Sequence, residues 1–233
     1  MKKVGIMQPY FMPYIGYFKL INFCDEFVVY DNIKYTKKGW INRNNLLINN
    51  ESKLFSIPLL KDSDFLNISQ REVSSTFEPE KLLNLVSSSY SKSAEFSNVY
   101  TLLKNCLFYE SNNLFDFIFY SINEICNYLN IKTKLHISSN IDIDHNLKSA
   151  HKVLSICKKL NATSYINPIG GLELYDKEYF KKEGVELFFL ENVETEYQQF
   201  SKNYVSSLSI IDAMMHLTKK DLMHRIEEDY LIK

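Results

Sequence analysis

The stretch that decides the fold opens the chain. Lys3-Val4-Gly5-Ile6-Met7 is followed by the turn Gln8-Pro9-Tyr10-Phe11-Met12-Pro13, by Tyr14 to Cys24, and by Phe27-Val28-Val29-Tyr30-Asp31. Residues 3–7 are a short apolar run ending in a polar turn, which predicts a buried strand. Pro13 sits at the first position of the next segment, where a missing N–H is harmless, so Tyr14–Cys24 is predicted helical. Residues 27–31 form a second apolar run. The order strand, loop, helix, strand most simply makes a parallel pair with a right-handed crossover.

Working outward, residues 52–58 and 65–73 alternate as strands do. From Pro79 to Asn130 the pattern turns helical, and Leu114, Ile118, Ile122, Ile125 and Leu129 recur at helical spacing. Strands are predicted at 133–138, 163–167 and 185–190, and helices at 148–160, 176–183 and 208–228. Strand and helix alternate at both ends of the chain. The expectation is a single α/β domain over residues 1–233, with a parallel Rossmann-like sheet and a helical block inserted at about 77–131.

Lys plus Arg is 27 and Asp plus Glu is 28 in 233 residues, for a net charge of −1. This balance argues against sequence-blind nucleic-acid binding, which needs clustered positive charge. Only Arg43, Arg71 and Arg225 are arginines, so a retained Arg is informative. Cys24, Cys106, Cys126 and Cys157 form no Cys-x-x-Cys and lie in mostly apolar surroundings, which reads as buried free thiols in a reducing compartment. The start of the chain turns polar at Gln8 before a signal-peptide core forms, and no apolar run approaches a membrane span. The sequence-level expectation is a cytoplasmic protein with no integral membrane segment. The histidines show no zinc spacing, and Asp142-x-Asp144-x-Asn146 lacks the glycine and glutamate of a calcium loop.

Three segments carry candidate chemistry. In open α/β sheets, ligands bind beyond the carboxyl ends of the strands, which is where the first turn falls, with Gln8, Tyr10, Tyr14, Gly16 and Tyr17. The second segment follows the second strand. It contains Asp31 as a candidate base, Lys34 and Arg43 as candidate anion contacts, Asn42 as an amide, and Trp40 as a stacking face suited to a sugar or nucleotide. The third runs from Tyr165 into Gly170-Gly171, where paired glycines can turn amide N–H groups onto an anion or simply make a strand-to-helix turn.

Together these segments resemble the WbqC-like family. The resemblance rests on Gln8-Pro9, Pro13-Tyr14-x-Gly16-Tyr17-Phe18, Asp25-x-Phe27-Val28-x-x-Asp31 and Trp40-x-Asn42-Arg43. It continues through Ile57-Pro58, Ser138-Ser139, Tyr165 to Tyr175, and Leu208 to Asp212. His216 and Thr218 stand where members commonly have Asn and Gly. The resemblance implies surface-polysaccharide (O-antigen) biosynthesis and transfer of glycine or another small acyl group onto a nucleotide-linked amino sugar, with Ser139 as a lesser site candidate. Tyr14-x-Gly16-Tyr17 also echoes the His-x-Gly-His signature of nucleotidyltransferases and pantothenate synthetases. With both histidines replaced by tyrosine, use of ATP and Mg²⁺ stays open. The alternative is a non-catalytic sugar-nucleotide-binding or scaffolding protein that kept the cleft.

Overall fold

The computed structural model describes residues 1–233. Six strands form the central sheet: β1 (Lys3–Met7), β2 (Glu26–Val29), β5 (Lys134–Ile137), β6 (Ser164–Pro168), β7 (Glu186–Asn192) and β8 (Tyr230–Ile232). Their order is β5-β2-β1-β6-β7-β8. The first five are mutually parallel, and β8 closes the β7 edge antiparallel. This is the Rossmann-like α/β arrangement expected from the opening stretch.

The sheet separates two apolar layers because successive side chains of a strand point to opposite faces. Phe27, Val29 and Ile166 face the larger layer, together with α1 (Ile15–Phe23), α2 (Pro79–Tyr90), α3 (Phe96–Leu107) and α4 (Leu114–Leu129). Val4, Ile6, Val28 and Tyr165 face the smaller layer, with α5 (Ser149–Lys159) and α6 (Lys177–Lys182). Helices α2–α4 follow one another in sequence between β2 and β5, within the span read as a helical block. All four cysteines are buried and unpaired. No helix is long and apolar enough to cross a membrane.

Four expectations are corrected. Arg43, expected in the segment that follows the second strand with no strand of its own, begins β3 (Arg43–Ile48), which pairs antiparallel with β4 (Glu51–Ser56) outside the main sheet. Asn49 and Asn50 turn this hairpin with φ of 52° and 65°, the left-handed pair of a two-residue hairpin loop. Residues 65–73 are not a strand. Ile68–Gln70 is a 3₁₀ turn closed by a reciprocal capping box between Asn67 and Gln70, flanked only by isolated bridges. The expected helix 208–228 is two, α7 (Ile210–His216) and α8 (Lys219–Glu228), because the Thr218 side chain accepts from the Asp221 N–H and starts a new helix. Strand β2 ends at Val29, so Asp31 lies in the following loop.

Helix α7 carries a buried carboxylate. Asp212 is 0% exposed and accepts from Tyr90 Oη (2.9 Å), Tyr197 Oη (2.7 Å) and Gln199 Nε2 (2.8 Å). Tyr90 Oη in turn accepts the Leu47 N–H of β3 (2.9 Å). His216 Nδ1 lies 3.6 Å from Asp212 Oδ1, and its buried Nε2 has no partner. One side chain thus joins α2, α7, the hairpin and the 197–199 loop.

Candidate functional site at the switch point of the sheet

The chain leaves β1 for β2 on one side and returns for β6 on the other, so the topological switch falls between β1 and β6. Crevices at such points hold ligands in open α/β sheets because adjoining loops diverge there. Here the crevice has a volume of ≈ 400 Å³ and is lined among others by Gln8, Tyr10, Tyr30, Tyr165, Asn167, Gly170, Gly171 and Tyr175. Two-residue alternation on β6 puts Tyr165 and Asn167 on one face, and Tyr165 Oη donates to Asn167 Oδ1 at 3.0 Å. A Cβ at Gly171 would stand 1.9 Å from Asn167 Nδ2, so a glycine there lets the Asn167 amide fold over the 3₁₀ turn Ile169–Leu174. Gly170 faces open space.

Across the crevice, Gln8 Nε2 donates to Tyr10 Oη at 2.5 Å. Burial pushes the phenol pKa values of Tyr10, Tyr30, Tyr165 and Tyr175 upward. These hydroxyls stay protonated, neutral hydrogen-bonding groups. No lining side chain of the crevice is an acid or a cation. Behind Tyr30 lies Lys152, buried, with Nζ 5.1 Å from the Tyr30 ring centroid and 3.1 Å from Asn32 Oδ1. Burial lowers its pKa, and the charge of Asp31 opposes the shift.

A second cavity of ≈ 310 Å³ is lined by Tyr10, Pro13, Tyr14, Trp40, Asn44 and Ser207. Tyr10 lines both cavities. The predicted segments therefore converge, but around two adjoining spaces rather than one cleft.

The structure sorts the predicted residues. Gln8, Tyr10, Tyr165, Gly170 and Gly171 line the crevice, and Tyr10, Tyr14 and Trp40 line the second cavity. Gly16 lies under the Tyr14 ring. Tyr17 is buried, with its hydroxyl on the Gln8 carbonyl (3.2 Å). Asn42 bridges Tyr35 Oη (2.9 Å) and the Ile57 carbonyl (2.7 Å). Lys34 packs over the exposed Phe65 ring at 4.8 Å. Arg43 donates from Nε to the Gly39 carbonyl (2.9 Å) and from Nη2 to the Lys38 carbonyl, with its guanidinium 5.6 Å from the Trp40 ring centroid. Asp31 is 1% exposed and accepts from Ser138 Oγ (3.0 Å) and the Ser139 N–H (2.9 Å). Asp31, Lys34, Asn42, Arg43 and Ser139 line neither cavity. The bonds of Asp31, Asn42, Arg43 and Ser139 tie loops to one another. Asn44, which the sequence offers as an amide beside Asn42, lines the second cavity, whereas Tyr30, Asn167, Tyr175, Ser207 and Lys152 carry no role in the sequence reading. Of these, Asn167 was within reach, since it shares a strand face with Tyr165.

The parallel sheet and the crevice at its switch point define a Rossmann-like α/β protein, and the crevice has an uncharged lining in which amides and phenols stand among apolar side chains. The WbqC-like protein family matches residues 8–224, and the chain belongs to that family. It is also 26% identical over 220 residues to an uncharacterized protein, Rv1507c, of Mycobacterium tuberculosis, a match covering 93% of this chain and 94% of the relative. No solved structure matches the chain.

Proposed function

We propose that the protein forms an amide between a small carboxylic acid, such as glycine, and the amine of a nucleotide-linked amino sugar, within surface-polysaccharide synthesis in the cytoplasm. The observation that carries this reading is the lining of the crevice. Gln8, Tyr10, Tyr30, Tyr165, Asn167 and Tyr175 supply amides and protonated phenols around aromatic walls. Such a site satisfies hydroxyls and amides of a neutral ring system and gives it stacking surface. In the reaction, the sugar nitrogen attacks an activated acyl carbon and a C–N bond forms. The bond from that carbon to the phosphate oxygen of an acyl phosphate or acyl adenylate, formed from ATP, breaks with its electron pair on the leaving phosphate, and the proton lost from the nitrogen passes to water. In this reading Gln8 and Asn167 orient the nucleotide end of the acceptor, and Tyr10, which lines both cavities, lies beside its sugar. Lys152 is the cation held in reserve behind Tyr30. Asp31, Lys34 and Arg43 act by holding the loops that frame the site, Asp31 through Ser138 and Ser139 and Arg43 through the 38–40 turn.

Tyr14 and Tyr17 occupy the places of the phosphate-binding histidines in the signature they echo, and burial raises both phenol pKa values. Neither offers a positive charge to a phosphate. That neutrality favours, as second reading, a sugar-nucleotide-binding protein without turnover. Incubation with glycine, ATP, Mg²⁺ and a uridine diphosphate amino sugar, followed by mass spectrometry, separates the two. A sugar nucleotide heavier by one glycyl group supports the enzyme. Calorimetric binding of the sugar nucleotide without product supports the binding protein, and no binding removes both.

A further inference from the structure

We infer that the second cavity, walled by Tyr10, Tyr14 and Trp40, is a subsite for a single pyranose ring, adjoining the switch-point crevice through Tyr10, which lines both. The inference rests on the amino-sugar reading above and assigns the sugar and the rest of the ligand to different spaces. The volume, ≈ 310 Å³, lies at the lower end of the roughly 300–1,000 Å³ of small-molecule sites. That suits one ring and excludes a whole nucleotide sugar.

The walls are held in place by contacts that the sheet does not need. Trp40 is 46% exposed. The Arg43 guanidinium packs near its ring while fixing the backbone turn that carries it, through the carbonyls of Lys38 and Gly39. An exposed indole held in this way is a stacking platform for the C–H face of a sugar. Tyr14, which lines the same cavity, lies back across the first turn of α1, in space left by Gly16. Two non-glycine residues in left-handed backbone belong to or adjoin its lining, Ser207 (φ 55°) and, next to Pro13, Met12 (φ 46°). Such conformations persist only where their surroundings enforce them, and they gather at binding sites. The Met12 carbonyl accepts from Asn44 Nδ2 (2.7 Å) and Ser209 Oγ (2.7 Å). The Ser207 N–H donates to Glu194 Oε1 (3.0 Å), which also receives Tyr204 Oη (3.2 Å). The Ser207 hydroxyl and the Tyr10 and Tyr14 phenols are uncharged groups suited to sugar hydroxyls.

Trp40 is the only tryptophan in the chain, so its fluorescence reports on this cavity without a variant. Titration of the wild-type protein with glucosamine and with glucose should each change the emission, whereas uridine diphosphate should bind calorimetrically without changing it. Trp40→Ala should weaken glucosamine binding at least tenfold by calorimetry and leave uridine diphosphate affinity unchanged. Unchanged emission with both hexoses, together with calorimetric binding of a uridine diphosphate amino sugar that Trp40→Ala does not alter, overturns the subsite while the proposed function stands. An emission change with tetramethylammonium but not with glucose also overturns it, since the cavity would then be an aromatic cage for ammonium groups. No response to hexoses and no binding of the uridine diphosphate amino sugar removes both readings.

Discussion

The ring of Tyr14 occupies the space that a side chain at Gly16 would need: a Cβ there would stand 2.4 Å from Tyr14 Cε2 and 2.7 Å from Tyr14 Oη. A glycine in the first turn of α1 is therefore tied to the shape of the second cavity, two residues back. An interior glycine weakens a helix by about 1 kcal/mol relative to alanine. Gly16→Ala recovers part of that while forcing the Tyr14 ring aside. The expected result is a melting temperature within a few degrees of wild type, together with a changed Trp40 emission spectrum. A spectrum identical to wild type would mean that Tyr14 does not shape the cavity that Trp40 lines.

Asp31 anchors the loop after β2 through one carboxylate oxygen, Oδ1, which receives Ser138 Oγ and the Ser139 N–H. An asparagine side chain would keep an oxygen in that place, whereas alanine would leave a buried N–H without an acceptor. Asp31→Ala should lower unfolding free energy by about 1–3 kcal/mol, and Asp31→Asn by clearly less, as read from urea unfolding. Equal losses for both variants would show that the charge, not the acceptor, is what the loop requires.

The larger penalty should fall at Asp212. Its carboxylate receives two phenols and an amide at 0% exposure. Hydrogen bonds to a charged group are worth about 1.5–3 kcal/mol each, and removing their shared acceptor strands several buried donors. Asp212→Ala should lose about 3 kcal/mol or more in chemical denaturation. Tyr90→Phe, which removes one of the three donors and the partner of the Leu47 N–H, should lose a fraction of that.

Lys19 gives the stability a pH signature. It is 1% exposed, and its Nζ donates to the carbonyls of Val193 (2.9 Å) and Asp229 (2.7 Å). Burial lowers its pKa to about 8 from the ordinary 10.5, against the opposing pull of Asp229 and Glu194. Between these values the unfolded chain binds the proton that the folded chain has released, so this group makes stability rise as pH increases from about 8 to 10.5. Below about pH 8 the folded protein bears the full cost of the buried charge. Buried tyrosines with raised pKa values act in the opposite sense near and above about pH 10. The measurement is therefore a difference, with the melting temperature of wild type minus that of Lys19→Met increasing across the window. A flat difference would mean that the two carbonyls hold the ammonium at its ordinary pKa.

How much of this was legible in the sequence differs by element. β1, α1, β2, α4, β5, α5, β6 and β7 fall within a few residues of the expected spans, because apolar runs and helical spacing are local signals. The second hairpin strand, β4, falls within two residues of the strand read over 52–58, but its partner escaped because β3 (Arg-Asn-Asn-Leu-Leu-Ile) opens with polar residues of low strand propensity. The turn between them, Asn49-Asn50, was the readable clue. The break at Thr218 was also readable as a capping residue with Asp221 three positions on.

The sequence by itself determined the parallel α/β frame, the family and the segments that meet at the site, since these rest on periodicity and on motif residues adjacent in the chain. Only the tertiary structure decided which side chains line the two cavities. Asp31, Lys34 and Arg43 read as chemistry because they are charged and lie beyond a strand, yet each is turned toward a partner contributed by another segment or another residue of its own loop: Ser138 and Ser139, the Phe65 ring, and the carbonyls of Lys38 and Gly39. Tyr10 reads as a candidate of the first turn, but that it lines two cavities at once is visible only in the fold. The physical reason is that a charged group near the interior must find its partner wherever the fold supplies one. Residue type and spacing do not encode which partner that is.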